Sequence, residues 1–313
     1  MPARFLAASA RRGPVLLVLA ILAGLAVPPF AHALRGALLP TVFGMMTLVL
    51  LRVDIAAALA HLRRPMLLVA LVGFQLLGSP LLAHGLVRGL AVEPGIAAGV
   101  VLFAACSPAL SSPAFARLGG LDPELTLLVT LAATLLVPLT APPLAARLAG
   151  IDLAIGIGAF MARLGVMVGA PLAVSLAARV ALGPVRLAAF GPAIDGAMVW
   201  LLAAFGIGVM DGMTARLLAD PVWVAAATLA AVLANLGANL LTTALFAPIG
   251  LRFSAAAGIA AGNRNMALYL AVLPAGADRR LVLFCALCQL PLYLSPFLLS
   301  PLHRRLAARR GAA

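Results

Sequence analysis

The chain has 313 residues, of which 64% are hydrophobic and 10% are charged, and its formal net charge is +13. A soluble domain has about 45–50% apolar and about 25% charged residues, so this composition excludes an ordinary soluble domain and predicts a polytopic membrane protein. Every basic side chain apart from the four His is Arg. Most of them lie at the edges of apolar segments, which is typical of membrane topology and argues against nucleic-acid binding.

Ten apolar segments follow one another along the chain, most of them close to the roughly 20 residues that cross a bilayer as a helix. They cover about 14–33, 36–52, 66–86, 95–117, 121–146, 157–180, 190–210, 221–248, 253–273 and 281–302. With the N-terminus inside, fourteen Arg lie at cytoplasmic segment ends and six at the opposite ends. This imbalance predicts a multi-pass protein of the cell's inner membrane with both termini in the cytoplasm.

A weak internal repeat relates the two halves of the chain at an offset near 153 to 157 residues. Its matched pairs are Asp54 with Asp211, Pro65 with Pro221, residues 106–113 with 262–265, and residues 137–142 with 290–296. Because each half holds five segments, an odd number, the second copy is inserted upside down. Two interrupted segments in corresponding positions of inverted halves indicate the binding site of a secondary transporter.

The second interrupted segment reads AAGNRNMALYL and covers residues 260–270. It places Gly262, Asn263, Arg264 and Asn265 in a row within an apolar stretch. Polar backbone at membrane depth is tolerated against protein or in a water-filled cavity, so the pattern predicts a broken helix that forms a binding site. The alternative is a short loop between two helices that are too short to span.

All six amide side chains lie inside predicted spans, although amides normally favour turns and caps. They are Gln75, Asn235, Asn239, Asn263, Asn265 and Gln289. This distribution divides a single membrane domain, 1–313, into a polar core subdomain, about 66–146 and 221–302, and a more apolar panel subdomain, about 14–52 and 157–210. The alternative is that some of these amides only hold helices together.

Hydroxyl groups gather in segments four and five. Ser107, Ser111 and Ser112 lie between or beside Pro108 and Pro113, which free main-chain carbonyls because proline blocks helix continuation. Segment five carries Thr126, Thr130 and Thr134 on one helical face. These hard oxygen ligands suit a small cation, whereas the alternative is that each Thr bonds back to its own helix.

Four stretches together are similar to the bile acid:sodium symporter superfamily, which also includes arsenite-efflux carriers. They are FQLLGSPLLA at 74–83, CSPALSSP at 106–113 with the following LVTLAATLLVPLTAP, AAGNRNMALYLA at 260–271, and QLPLYLSP at 289–296. The resemblance implies an all-α membrane protein of ten transmembrane helices in two inverted five-helix repeats, with broken helices four and nine crossing in mid-membrane. It also implies sodium-coupled transport of organic anions.

The resemblance assigns Ser112, Thr126 and Thr130 to one sodium site, Gln75 to a second, and Asn265 to the crossover. Three positions depart from the family pattern. Pro113 replaces a crossover asparagine, Ala260 replaces the glutamate that serves both sodium sites, and Arg264 replaces a glutamine. A fixed positive charge beside Na⁺ repels it by several kcal/mol even at an effective dielectric constant near 20. We therefore expect the second sodium site to be absent and coupling to Na⁺ to be open.

Arg264 has two interpretations. It stands in for the missing cation and holds the freed carbonyls, or it binds an anionic substrate through its planar donor fork. The second is favoured because no acidic residue is an obvious partner. The candidate substrate-binding residues are Arg264, Asn265, Asn263, Ser111 and Pro113.

The leading hypothesis is a secondary active transporter of a small organic anion that works by alternating access. One alternative is a metalloid efflux carrier that uses Cys106 as a soft ligand. The other is a membrane sensor or subunit that keeps the fold without transport. Neither an enzyme nor a resident metal is expected, because no catalytic or metal-ligating group gathers at one depth. Na⁺ is the only candidate cofactor, and the oligomeric state is open.

Overall fold

The structure is a computed structural model, and it describes residues 5–6, 8–9, 13–53, 65–151, 156–273 and 277–308. Throughout these ranges the regular elements are helices. In chain order they are α1 (Gly13–Ala26), α2 (Pro28–Arg35), α3 (Leu38–Arg52), α4 (Pro65–Gly89), α5 (Pro94–Ala105), α6 (Ser112–Leu118), α7 (Pro123–Leu148), α8 (Ile157–Gly208), α9 (Met213–Ala219), α10 (Pro221–Leu245), α11 (Leu251–Gly262), α12 (Met266–Val272), α13 (Arg279–Leu287), α14 (Gln289–Leu298) and α15 (Ser300–Ala308).

Prolines and acidic caps fix where several helices begin. Pro94 and Pro123 occupy the first position of α5 and α7, where a missing N–H costs nothing. The preceding Glu93 and Asp122 each accept a main-chain N–H of the first turn at 2.8 Å. Such caps satisfy donors that the helix itself leaves free.

Four helical runs within the described residues are long and apolar enough to cross a membrane, and up to six if each bent pair counts as one span. The four are Pro65–Gly89, Pro123–Leu148, Ile157–Ala219 and Pro221–Leu245. The all-helical membrane class predicted from the sequence is therefore confirmed, whereas the ten-span inverted repeat stays a prediction.

Several predicted segments are divided in the structure. The first, about 14–33, ends as α1 at Ala26, because Pro28 begins a new helix after Val27, whose φ of −126° and ψ of 77° are not helical. The last, about 281–302, consists of α13, α14 and part of α15. The boundary between the sixth and seventh segments lies inside α8 at Gly183, whose φ of 71° is a conformation that favours glycine.

The chain forms two compact units. Unit 1 comprises Met1–Val53, Gly165–Val224 and Leu270–Val272, and unit 2 comprises Asp54–Leu164, Ala225–Tyr269 and Leu273–Ala313. In unit 2, helix α7 packs against α4, α5, α6 and α11, and α13 packs against α5. Helix α7 therefore supports both α5 and α11, whose ends form the candidate site.

Arg179 of α8 holds the C-terminal end of α3 in unit 1. Its Nη2 donates to the carbonyl oxygens of Leu50 at 2.7 Å, Leu51 at 2.9 Å and Val53. The last carbonyls of a helix have no partner within the helix and carry its negative dipole end. A guanidinium is therefore well suited to this position.

We expect Arg179→Ala to lower the free energy of unfolding by about 1–3 kcal/mol, because three carbonyls lose a charged donor. The apparent melting temperature of the purified protein measures this. Arg186→Ala, which changes an exposed Arg of the same helix, is the matched control and should have little effect. Equal melting temperatures for the two variants would contradict this role of Arg179.

Candidate functional site

Two interrupted helices pair through their breaks within unit 2. The first break, residues 106–111, joins α5 to α6, and the second, residues 263–265, joins α11 to α12. We call them the paired breaks. The Ala109 N–H donates to the main-chain carbonyl oxygen of Asn263 at 2.6 Å, and the Asn265 N–H donates to the main-chain carbonyl oxygen of Ser107 at 2.9 Å. Pro108 and Arg264 face each other between these bonds as an antiparallel bridge.

Pro108 fits this pairing because of its position in the ladder. In an antiparallel pair, residues alternate between positions that exchange hydrogen bonds and positions that do not. Pro108 lies at a position of the second kind, between the two bonded neighbours, so its missing N–H breaks no ladder bond. The proline that ends helical structure after α5 is thus compatible with the extended pairing that replaces it.

Arg264 is the largest fully buried side chain of the described residues, with 1% of its surface exposed. Its Nε donates to the Ala261 oxygen at 2.7 Å. Its Nη1 donates to the main-chain carbonyl oxygens of Cys106 at 2.7 Å and Gln75 at 3.3 Å. Its Nη2 donates to Ser79 Oγ at 3.2 Å. Four of its five N–H groups therefore have partners, and these come from α4, α11 and the first break.

Local irregularities explain why these carbonyls are free to accept. In α4, a π-helical turn over Phe74–Gly78 directs the Ser79 N–H to the Phe74 oxygen. The next donor in that pattern would come from residue 80, which is Pro80 and has no N–H, so the Gln75 oxygen has no helical donor. In α11, the helical donor for the Ala261 oxygen would be the Asn265 N–H, which bonds to Ser107 instead.

The two asparagines that flank Arg264 are both used by the protein. The Asn263 side-chain oxygen accepts from Asn235 Nδ2 at 3.3 Å and from Ser295 Oγ at 3.2 Å. Asn235 Nδ2 also donates to the Gly262 oxygen at 2.6 Å. Asn265 Oδ1 accepts the Leu268 N–H at 3.3 Å and caps α12. Asn263 and Asn235 therefore link helices, which was the alternative interpretation of the amides.

The five predicted substrate-binding residues divide by exposure. Arg264 and Asn263 are buried, whereas Asn265, Ser111 and Pro113 are half-buried. The Ser111 side chain makes no capping bond to α6, although it occupies the N-cap position. The three half-buried residues are the members of the set whose surfaces remain partly accessible.

The predicted sodium ligands are all fully buried: Gln75, Ser112, Thr126 and Thr130. Thr126 Oγ1 donates to the main-chain carbonyl oxygen of Asp122 at 2.8 Å, as expected for a threonine that bonds back to its own helix. Ser112 Oγ, Thr130 Oγ1 and both polar atoms of the Gln75 side chain have no partner among the described residues. These unpartnered polar atoms suit a further hydrogen-bonding or ionic partner.

The implied second sodium site does not fit the residues present. The oxygens of Gln75, Cys106 and Ala261 accept from Arg264, so a guanidinium holds the carbonyls that a cation would need. A sodium ion there would meet a buried positive charge. Among the hydroxyls of Ser112, Thr126 and Thr130, by contrast, those of Ser112 and Thr130 have no partner within the described part of the chain, and such neutral oxygens fit a small cation or water.

Cys106 is buried, and its Sγ lies 3.3 Å from Met266 Sδ. Its carbonyl oxygen accepts from Arg264. The described residues contain no group of three or more His, Cys, Asp or Glu that could hold a metal ion. The structure thus shows a main-chain role for Cys106 that the sequence did not indicate.

An all-helical protein with membrane-length apolar helices belongs to the class of membrane proteins. The sequence profile of the Sodium Bile acid symporter family matches residues 39–220, which is more than half of the chain. The chain belongs to this family of transporters. The matched range contains the first break, Gln75, Ser112, Thr126 and Thr130, and it ends before the second break. No curated protein matches the chain.

Close packing at the second break predicts a sharp glycine requirement. A Cβ added at Gly262 would lie 2.7 Å from the main-chain oxygen of Asn235 and 2.9 Å from Asn239 Cβ. We expect Gly262→Ala to lower the free energy of unfolding by about 1–3 kcal/mol, because α10 and α11 must move apart.

Gly237→Ala is the matched control, since an added Cβ there meets nothing within 4 Å. It should keep or slightly raise the apparent melting temperature, because alanine favours helix. The account of the close approach is wrong if Gly262→Ala is as stable as Gly237→Ala.

Proposed function

We propose that this protein is a secondary active transporter of a small organic anion and works by alternating access. Family membership supports transport of a solute in general. In this proposal ten spans form two inverted repeats, and the core and panel subdomains rock against each other in the inner membrane. Both termini lie in the cytoplasm, as the distribution of Arg favours.

The buried charge of Arg264 is the observation that carries the preference for an anion. Its hydrogen-bond partners are carbonyl and hydroxyl oxygens, and no carboxylate of the described residues is among them. A unit charge about 6 Å away interacts with it by about 3 kcal/mol at an effective dielectric constant of 20. An anionic solute near the paired breaks is therefore favoured and a cationic one is disfavoured.

Asn265, Ser111 and Pro113 are proposed to contact the solute directly, since they are half-buried. Arg264 acts on the solute mainly through its charge, and one N–H of Nη2 has no partner among the described residues. Asn263 is proposed to support the site without contacting the solute, because its side-chain oxygen accepts from Asn235 and Ser295. This arrangement joins the two interpretations of Arg264, which holds the carbonyls and also attracts the anion.

We place coupling to Na⁺ at the hydroxyl set of Ser112, Thr126 and Thr130. Gln75 is a separate candidate, because neither polar atom of its buried side chain has a partner among the described residues. The metalloid alternative is weaker than anion transport. Cys106 Sγ is fully buried against Met266, whereas a soft metalloid needs accessible thiolates.

Uptake of a panel of radiolabelled carboxylates into proteoliposomes, with and without a sodium gradient, tests the proposed transport. We expect saturable uptake of at least one carboxylate by the parent protein. Ser111→Ala should raise KM about 5- to 10-fold, the loss of about one neutral hydrogen bond. Its melting temperature should be unchanged, because the Ser111 side chain makes no capping bond.

Ser254→Ala is the control, since Ser254 bonds to Leu251 within the first turn of α11, and its KM should equal that of the parent. Absence of carboxylate uptake under every gradient would show that the protein does not carry out the proposed transport. Equal KM values for Ser111→Ala and the parent would remove Ser111 from the solute site.

A further inference from the structure

We infer that Arg264 is a built-in cation: its guanidinium permanently takes the place of a free coupling ion at the paired breaks. The inference deepens the proposed function, and it departs from the sodium coupling that the family name suggests.

The acceptors around Arg264 resemble the ligand set of a hard cation. Three main-chain carbonyl oxygens, from Gln75, Cys106 and Ala261, and the hydroxyl oxygen of Ser79 lie 2.7 to 3.3 Å from its nitrogens. Neutral oxygens of this kind are the ligands that hard cations prefer. Each comes from a point where a helix is irregular or ends. We call these four oxygens the oxygen cage, and the Arg264 guanidinium occupies it.

Burial makes this arrangement a fixed one. Only 1% of the Arg264 surface is exposed, and the residue also forms the bridge with Pro108. Its main chain is held on both sides, since the Asn263 oxygen and the Asn265 N–H bond to the first break. To release the guanidinium, the protein would have to break the four hydrogen bonds of the Arg264 side chain and leave the accepting carbonyls without a donor.

A guanidinium in this cage excludes a second cation. At a separation of about 4 Å and an effective dielectric constant of 20, the repulsion weakens binding of a monovalent cation about a thousandfold. Because Arg264 stays with the protein when the solute leaves, its positive charge is not transported across the membrane with the solute. Any anion that the protein moves is therefore unaccompanied by a cation from this position.

The test compares thermal stability in detergent, in NaCl and in N-methylglucamine chloride of equal ionic strength. It requires no substrate, so it remains informative if the proposed transport fails. The sodium response is the difference in apparent melting temperature between the two salts. We expect Arg264→Gln to melt below the parent and to show a larger sodium response than the parent, because the emptied carbonyls can then bind Na⁺.

Arg264→Lys is the matched control, because it keeps the charge and three donors but loses the planar fork. We expect it to melt between the parent and Arg264→Gln and to show the sodium response of the parent. Because Arg264→Lys keeps the positive charge, any response from Ser112, Thr126 and Thr130 is common to it and the parent and cancels in that comparison.

Equal sodium responses in the parent and Arg264→Gln would overturn the inference, as would a larger response in the parent. If Arg264→Gln yields no folded protein in either salt, Arg264→Lys decides. A folded Arg264→Lys with the parent's sodium response supports a built-in cation. An Arg264→Lys protein that also fails to fold would overturn the inference, because a positive charge alone then does not fill the site.

Discussion

One buried guanidinium, bonded to three main-chain carbonyls, is the interaction on which the candidate site depends. A buried charge without compensation is costly, and so is a buried carbonyl without a donor. In unit 2 these two costs offset each other, because Arg264 supplies donors to the oxygens of Gln75, Cys106 and Ala261. Removal of either side would leave the other unsatisfied, so the breaks and the arginine are needed together.

Each free carbonyl follows from a local feature of the sequence. Pro80 removes the donor that would otherwise serve Gln75 in the π-helical turn. Pro108 prevents α5 from continuing, and it tolerates the extended pairing because of its place in the ladder. The same pairing draws the Asn265 N–H away from Ala261. Gly262 allows α10 to approach closely enough for Asn235 to bond at the break. The site is thus built mainly from main-chain irregularity.

The sequence predicted the membrane class and the two interrupted helices, the second of which leads to Arg264, because a run of polar residues within an apolar segment needs a specific environment. It offered freed main-chain carbonyls as one of two interpretations of Arg264, but it could not identify which carbonyls, since every residue carries one. Ser79 and Ser295 were missed for a related reason: a serine in an apolar helix more often bonds to its own helix. The division at Pro28 was missed because hydropathy alone does not detect a bend within an apolar run.

An experimental structure of the protein, crystallised with Tl⁺ in place of Na⁺, would test the central claim most directly. The anomalous signal of Tl⁺ locates monovalent cation sites independently of the refined side chains. The account predicts a guanidinium among the oxygens of Gln75, Cys106 and Ala261, with no anomalous peak within bonding distance of them. A Tl⁺ ion bound to these carbonyls, with Arg264 turned elsewhere, would contradict it.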